Sequence, residues 1–165
     1  MRYTKKIATL GLMLAIIIIL TTLEHMLPPL PFLPPNVKLG LSNIITMYCV
    51  FFVGKAQAVS LGILKSFFVF LTRGPLAGLL SLSGGLLSIF VILLLIYIFK
   101  DAISYALTSV AGAIAHNMGQ LAAVSVVMAT PYMVYYLPVL LAAGVVAGMV
   151  TGTLLRIALP VVGKI

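Results

Sequence analysis

Long apolar runs recur along these 165 residues, and no other feature constrains the fold as strongly. Divided at its charges, prolines and glycines, the chain falls into six such runs: 7–26, 37–53, 56–72, 76–99, 102–130 and 137–161. A helix needs roughly 20 predominantly apolar residues to cross the hydrocarbon core of a bilayer. The runs therefore predict an all-α integral membrane bundle of six transmembrane helices, with residues 1–165 forming a single domain. The second and third runs are short, which tilt, partial unwinding or shielding by neighbours would accommodate. Composition agrees, since 63% of residues are hydrophobic and 7% charged, with a mean hydropathy of +1.29. A soluble domain of this length has too little interior to hide that much apolar surface.

The net charge of +8 would suggest nucleic acid in a soluble protein, but here Lys and Arg are scattered singly between apolar runs. Such scatter is a topological signal rather than a nucleic-acid footprint. With the N-terminus in the cytoplasm, Arg2, Lys5, Lys6, Lys55, Lys100, Arg156 and Lys164 collect on the inner side, against only Lys38 and Arg73 outside. The expected location is a cytoplasmic membrane with both termini inside. The opening stretch 1–23 also has the look of a signal peptide. It is read as a retained first helix, because no small-residue cleavage site follows before Glu24, His25 and a proline cluster.

Pro28, Pro29, Pro31, Pro34 and Pro35 make the first outer loop stiff and extended. Asn36 then suits the N-cap of the second helix. The later segment 131–138 holds Tyr132, Tyr135 and Tyr136, an aromatic group read as an interfacial belt at headgroup level, with ligand contact as the alternative.

Ionisable groups at bilayer depth are costly and face a cavity or a partner. Lys65 and His116 both sit midway along apolar runs. Around His116, Ser109, Gly112 and Gln120 recur at helical spacing with Asn117 beside them, and Ser81, Gly85 and Ser88 repeat the pattern one run earlier. Two readings fit these stripes: polar side chains bonding helix to helix, or the walls of a shared interior. Lys65 has its own alternative, a long side chain reaching an interface from a tilted helix. Lys38 and Arg73 would end their helices at the outer surface. Glu24 is the one acid near these cations by topology, so an anionic ligand would supply the missing countercharge. The candidate binding residues are Lys65, His116, Asn117 and Gln120, with Lys38, Asn43 and Arg73 around the mouth.

Small residues at four-residue spacing allow helices to approach closely. Gly144, Gly148 and Gly152 form one such ladder, assigned to internal packing, and Ala8, Gly11 and Ala15 form a second on the first run. No GxxxxGK[ST] loop is present, as Gly54-Lys55 is followed by Ala56 and Gly163-Lys164 leads only to Ile165. Glu24 and Asp101 are the only acids and belong to opposite sides. A carboxylate-held metal or a two-carboxylate acid/base pair within one chain is thereby excluded. The lone Cys49 makes no internal disulfide, and with His25 and His116 it lacks zinc-site spacing.

Residues 36–44 (NVKLGLSNI), 83–88 (SGGLLS) and 109–120 (SVAGAIAHNMGQ) resemble those of bacterial proteins called the Gx transporter family, also labelled heptaprenyl diphosphate synthase component I. The resemblance covers nearly the whole chain, and the AHNxGQ-like segment is its most specific part. Those proteins are similar in size and layout to the substrate-binding S components of energy-coupling factor (ECF) transporters. The resemblance implies that this chain captures a scarce vitamin or precursor outside, while a transmembrane coupling subunit and two ATPase subunits supply energy from ATP. It further implies that Ala8, Gly11 and Ala15 dock the coupling subunit, although Leu12 interrupts the usual small-residue pattern. The prenyl-synthase label cannot denote the catalytic subunit, because chain elongation uses aspartate-rich motifs to hold magnesium and this sequence has one aspartate.

The expected function is therefore capture, at the outer face, of a small anionic vitamin or isoprenoid- or quinone-related precursor, with no bound cofactor, no enzymatic activity and no nucleic-acid partner. Two alternatives stand beside it. One is a noncatalytic membrane subunit associated with heptaprenyl diphosphate synthesis. The other is a self-sufficient small transporter assembled through the glycine ladder.

Overall fold

The computed structural model describes residues 2–26, 40–100 and 103–162. Among them every regular element is helical: α1 Arg2–Met26, α2 Leu41–Tyr48, α3 Lys55–Arg73, α4 Pro75–Phe99, α5 Tyr105–Val127 and α6 Leu137–Val162. A π-helical turn, Cys49–Val53, continues α2, and a 3-10 turn, Pro131–Tyr136, precedes α6. Five of the helices, all but α2, are long and apolar enough to cross a membrane.

The second predicted span is the exception. Its helical stretch, Leu41–Val53, falls short of the roughly 20 residues that a full crossing needs. Gly40 stands before it with φ 70° and ψ 34°, a left-handed conformation that glycine adopts without steric cost. The helix thus begins four residues later than expected. Asn36, its expected cap, lies outside the described residues, as do the five prolines of the first loop.

The other boundaries follow local chemistry. Gly74, at φ 91°, reverses the chain in one residue between α3 and α4, and Pro75 opens α4 where its missing N–H costs nothing. The Ser104 side chain caps α5 by accepting from the Leu107 amide at 3.2 Å. That cap and the turn at Met128 and Ala129 trim the fifth predicted span, 102–130, to 23 residues.

Packing closes the helices into a ring. Helices α3 to α6 neighbour one another in order, α6 touches α2, α2 touches α1, and α1 returns to α3. Glycines set the closest approaches. A β-carbon at Gly119 of α5 would lie 2.7 Å from the Ser83 carbonyl oxygen of α4, and one at Gly144 of α6 would lie 3.1 Å from the Ile114 Cα of α5. Gly148 and Gly152 continue that seam against Val110, Ala106 and Ser109, so the ladder meets α5 within the same chain.

The apolar core fills one half of the ring. Met13 and Ile17 of α1, Cys49 and Val50 after α2, Ala58 and Leu61 of α3, and Ile89 and Ile92 of α4 form one buried cluster. These come from the later part of the α2 segment, the early part of α3 and the later part of α4. Because successive helices alternate in direction, the opposite half belongs to the end of α1, the start of α2, the end of α3, the start of α4 and the end of α5.

A polar cavity in the half-bundle opposite the core

A cavity of about 620 Å³ begins in that half and runs on between α4, α5 and α6 as far as Ile92, Ser109 and Thr151. Its walls come from all six helices and from the 3-10 turn before α6. Its size lies within the range of small-molecule sites, roughly 300–1,000 Å³. Ile89 and Ile92 belong to both the core and the cavity wall, so the apolar cluster serves as its floor.

On α3 the cavity-facing stripe runs Gly62, Lys65, Val69 and Arg73, which is the three-to-four residue return of one helical face. The half-buried Lys65 sends its Nζ to Asn43 Oδ1 at 2.8 Å, linking α3 to the first turn of α2. Its head group therefore ends on a partner at the cavity wall rather than reaching a distant interface. Arg73 is exposed and stands about 12 Å further along the helix by rise alone, at the mouth.

The stripes of α4 and α5 face the same space. Ser81, Gly85 and Ser88 line it from α4, and Ser109, Gly112, His116, Asn117 and Gln120 line it from α5. Part of this polarity is spent between helices. Ser66 bonds Ser81 at 3.2 Å, Ser109 bonds Thr151 at 2.6 Å, and the Asn117 amide donates to the Leu140 carbonyl at 2.8 Å. The helix-bonding reading thus holds for Ser81, Ser109 and one end of Asn117. It holds only in part for His116: the ring keeps a backbone hydrogen bond to Gly84 of α4, while its Nδ1 is buried without a hydrogen-bond partner among the described residues, as is Thr21 Oγ1 on the α1 wall. Unpaired polar atoms of this kind are costly unless something in the cavity answers them.

Glu24 is buried on the same wall, where its carboxylate accepts from the backbone N–H groups of Gly40 and Leu41. It thereby caps α2 from the end of α1, the role that sequence had assigned to Asn36. The sequence does not single out Thr21, Ser42 and Thr46, which face the cavity from α1 and α2, or Met133 and Thr151, which with Tyr136, one of the three tyrosines read as an interfacial belt or a ligand contact, complete it from the α6 side. Ser42 and Thr46, four residues apart, carried a detectable signal. Tyr136 did not, because Tyr132 and Tyr135 look the same in sequence yet are 71% and 81% exposed and stack on each other outside. Lys38 lies outside the described residues. Among the described residues no group of three His, Cys, Asp or Glu side chains comes together; the polar groups on the cavity wall are an ammonium, a guanidinium, a carboxylate, an imidazole, amides and hydroxyls.

On α1, Ala8, Gly11 and Ala15 are exposed, and a β-carbon at Gly11 would meet nothing within 4 Å. This small-residue face has no partner within the described chain.

Searches among curated proteins and among solved structures give no match. A family model, heptaprenyl diphosphate synthase component I, matches residues 13–158. The match runs from within α1 to within α6 and takes in the whole cavity, so this helical membrane protein belongs to the heptaprenyl diphosphate synthase component I family.

Proposed function

We propose that the protein is the substrate-binding membrane component of an ECF-type importer, taking up a small anionic vitamin or isoprenoid-related precursor at the outer face. The observation that carries this reading is the cavity itself. Lys65, Asn43, His116, Asn117, Gln120 and Arg73, drawn from three helices, meet in one ligand-sized space with unpaired polarity on its wall. The uneven distribution of Lys and Arg supports an orientation in which the mouth beside Arg73 faces outward. The exposed Ala8, Gly11 and Ala15 face supports docking to a coupling subunit, whose two ATPase partners would supply the energy. The outer segments close over the ligand, and docking then opens the bundle toward the cytoplasm.

The family name favours a second reading, a noncatalytic membrane subunit that accompanies prenyl diphosphate synthesis. Mass spectrometry of the small molecules released on denaturing gently purified protein separates the two. A water-soluble anion near one per chain, depleted in Lys65→Ala and His116→Ala, is the expected result. Prenyl lipids alone, or nothing that depends on these residues, would transfer the assignment to the second reading.

A further inference from the structure

We infer that the cavity holds an elongated ligand, with a polar head beside Lys65 and His116 and a slender, largely apolar tail that runs deep between α4, α5 and α6. The inference rests on the capture reading and concerns the same cavity. From Ala77 to Ile92 on α4, and from Val124 back to Ser109 on α5, the wall extends about 22 Å by helical rise. Among the described residues, α1 contributes to it only through Thr21 and Glu24, near the end of that helix. The deep part is therefore a limb enclosed by the later helices.

The two parts differ in chemistry. Lys65, Asn43, His116 and Gln120 stand in the part nearer the mouth. Beyond His116 the wall continues for about 10 Å to Ser109, past Ile89 and Ile92 of α4, Ala113 of α5 and Ala147 of α6. The hydroxyls at the far end are spent on the protein itself. Thr151 donates to the Ala147 carbonyl at 2.9 Å, which leaves Ser109 to donate to Thr151 at 2.6 Å. Ser88 remains as the limb's other hydroxyl. An ordered water needs about two to four polar partners, which such a lining does not supply, whereas a hydrocarbon tail needs none. The limb is also narrow. A β-carbon at Gly112 would lie 2.8 Å from Ile92 Cδ1, so the α4 side chains already reach across to the α5 backbone. A compact, ring-shaped anion would occupy the head region and leave the limb without contacts, while a tailed one fills both.

The test uses the full chain in detergent and, as probes, the straight-chain carboxylates from acetate to decanoate, each titrated while the melting temperature is followed. The half-saturating concentration is expected to fall about threefold with each added methylene, and the response to be lost in Lys65→Met. Ala113→Leu and Ala147→Leu narrow the limb from two different helices. Each should leave the short acids binding as in the unaltered protein and end the gain partway along the series. A response that does not grow with chain length, or growth that continues unchanged in both variants, overturns the tail and leaves capture standing. Mass spectrometry of the anion released from the same variants carries the test to the natural ligand, whose retention should be lost in both. Retention equal to that of the unaltered protein overturns the elongated ligand alone, and absence of any Lys65-dependent anion overturns the capture reading as well.

Discussion

At the residue scale, the most informative side chain is one that sequence reading treated only as a countercharge. Glu24 is the last acid before the proline cluster, and its role in the fold is to hold the start of α2 through the Gly40 and Leu41 amides. A side-chain acceptor at a helix N-terminus is worth about 1 kcal/mol, and a carboxylate there also meets the positive end of the helix dipole. Glu24→Ala should therefore lower the melting temperature in detergent, and Glu24→Gln should lower it less. Equal losses would mean that the contact contributes through charge alone. That Lys65 and His116 would be turned inward was legible, because no solvated surface is available at mid-span. That Asn43 would receive the ammonium was not, since the two are 22 residues apart and meet only once α2 packs beside α3.

At the element scale, the two small-residue ladders look alike in sequence and differ in structure. Gly148 lies against the Val110 backbone of α5, whereas Gly11 has open space beside it. Gly148→Leu should cost about 1–3 kcal/mol through overpacking, while Gly11→Leu should leave the melting temperature of the isolated protein unchanged or raised. Thermal unfolding of the two variants side by side checks this. On the docking assignment, Gly11→Leu should instead reduce copurification with the coupling subunit. The end of α2 shows a different kind of illegibility. The Gly54 N–H reaches back to the Cys49 carbonyl at 2.8 Å, a π-helical bond. The turn lets Phe51 set its ring edge-on to Tyr105 at 5.0 Å while Phe52 stays on Tyr48 at 5.0 Å. Nothing in the CVFFV run distinguishes this from an ordinary helical turn, and the Tyr105 ring that Phe51 meets lies on α5, far along the chain.

For the whole molecule, the ring of helices divides into an apolar half and a cavity half, and the direction of that polarity in the membrane is the functional question. If the scattered cations orient the chain as proposed, a cysteine at Arg73 or Tyr135 should react with a membrane-impermeant maleimide added to intact cells. One at Lys55 or Lys100 should react only after lysis. Cys49 is buried, and a Cys49→Ala background removes it from the readout. The opposite pattern would turn the cavity mouth toward the cytoplasm and exclude capture from outside.

The helical class, most span boundaries and the inward polar stripes were determined by sequence alone. Each depends on local rules: the length of an apolar run, the three-to-four residue return of a helix face, and the stops imposed by charges, prolines and glycines. The short second span, the Glu24 cap, the Tyr136 wall and the separation of packed from open glycine ladders were decided by tertiary structure. Each of these depends on which helix lies next to which, a choice made by close backbone contact between segments distant in the chain. The cavity belongs to the second group. Its residues are visible one by one in the sequence, but the space between them exists only because the apolar cluster at one end of the ring packs shut and leaves the other half open.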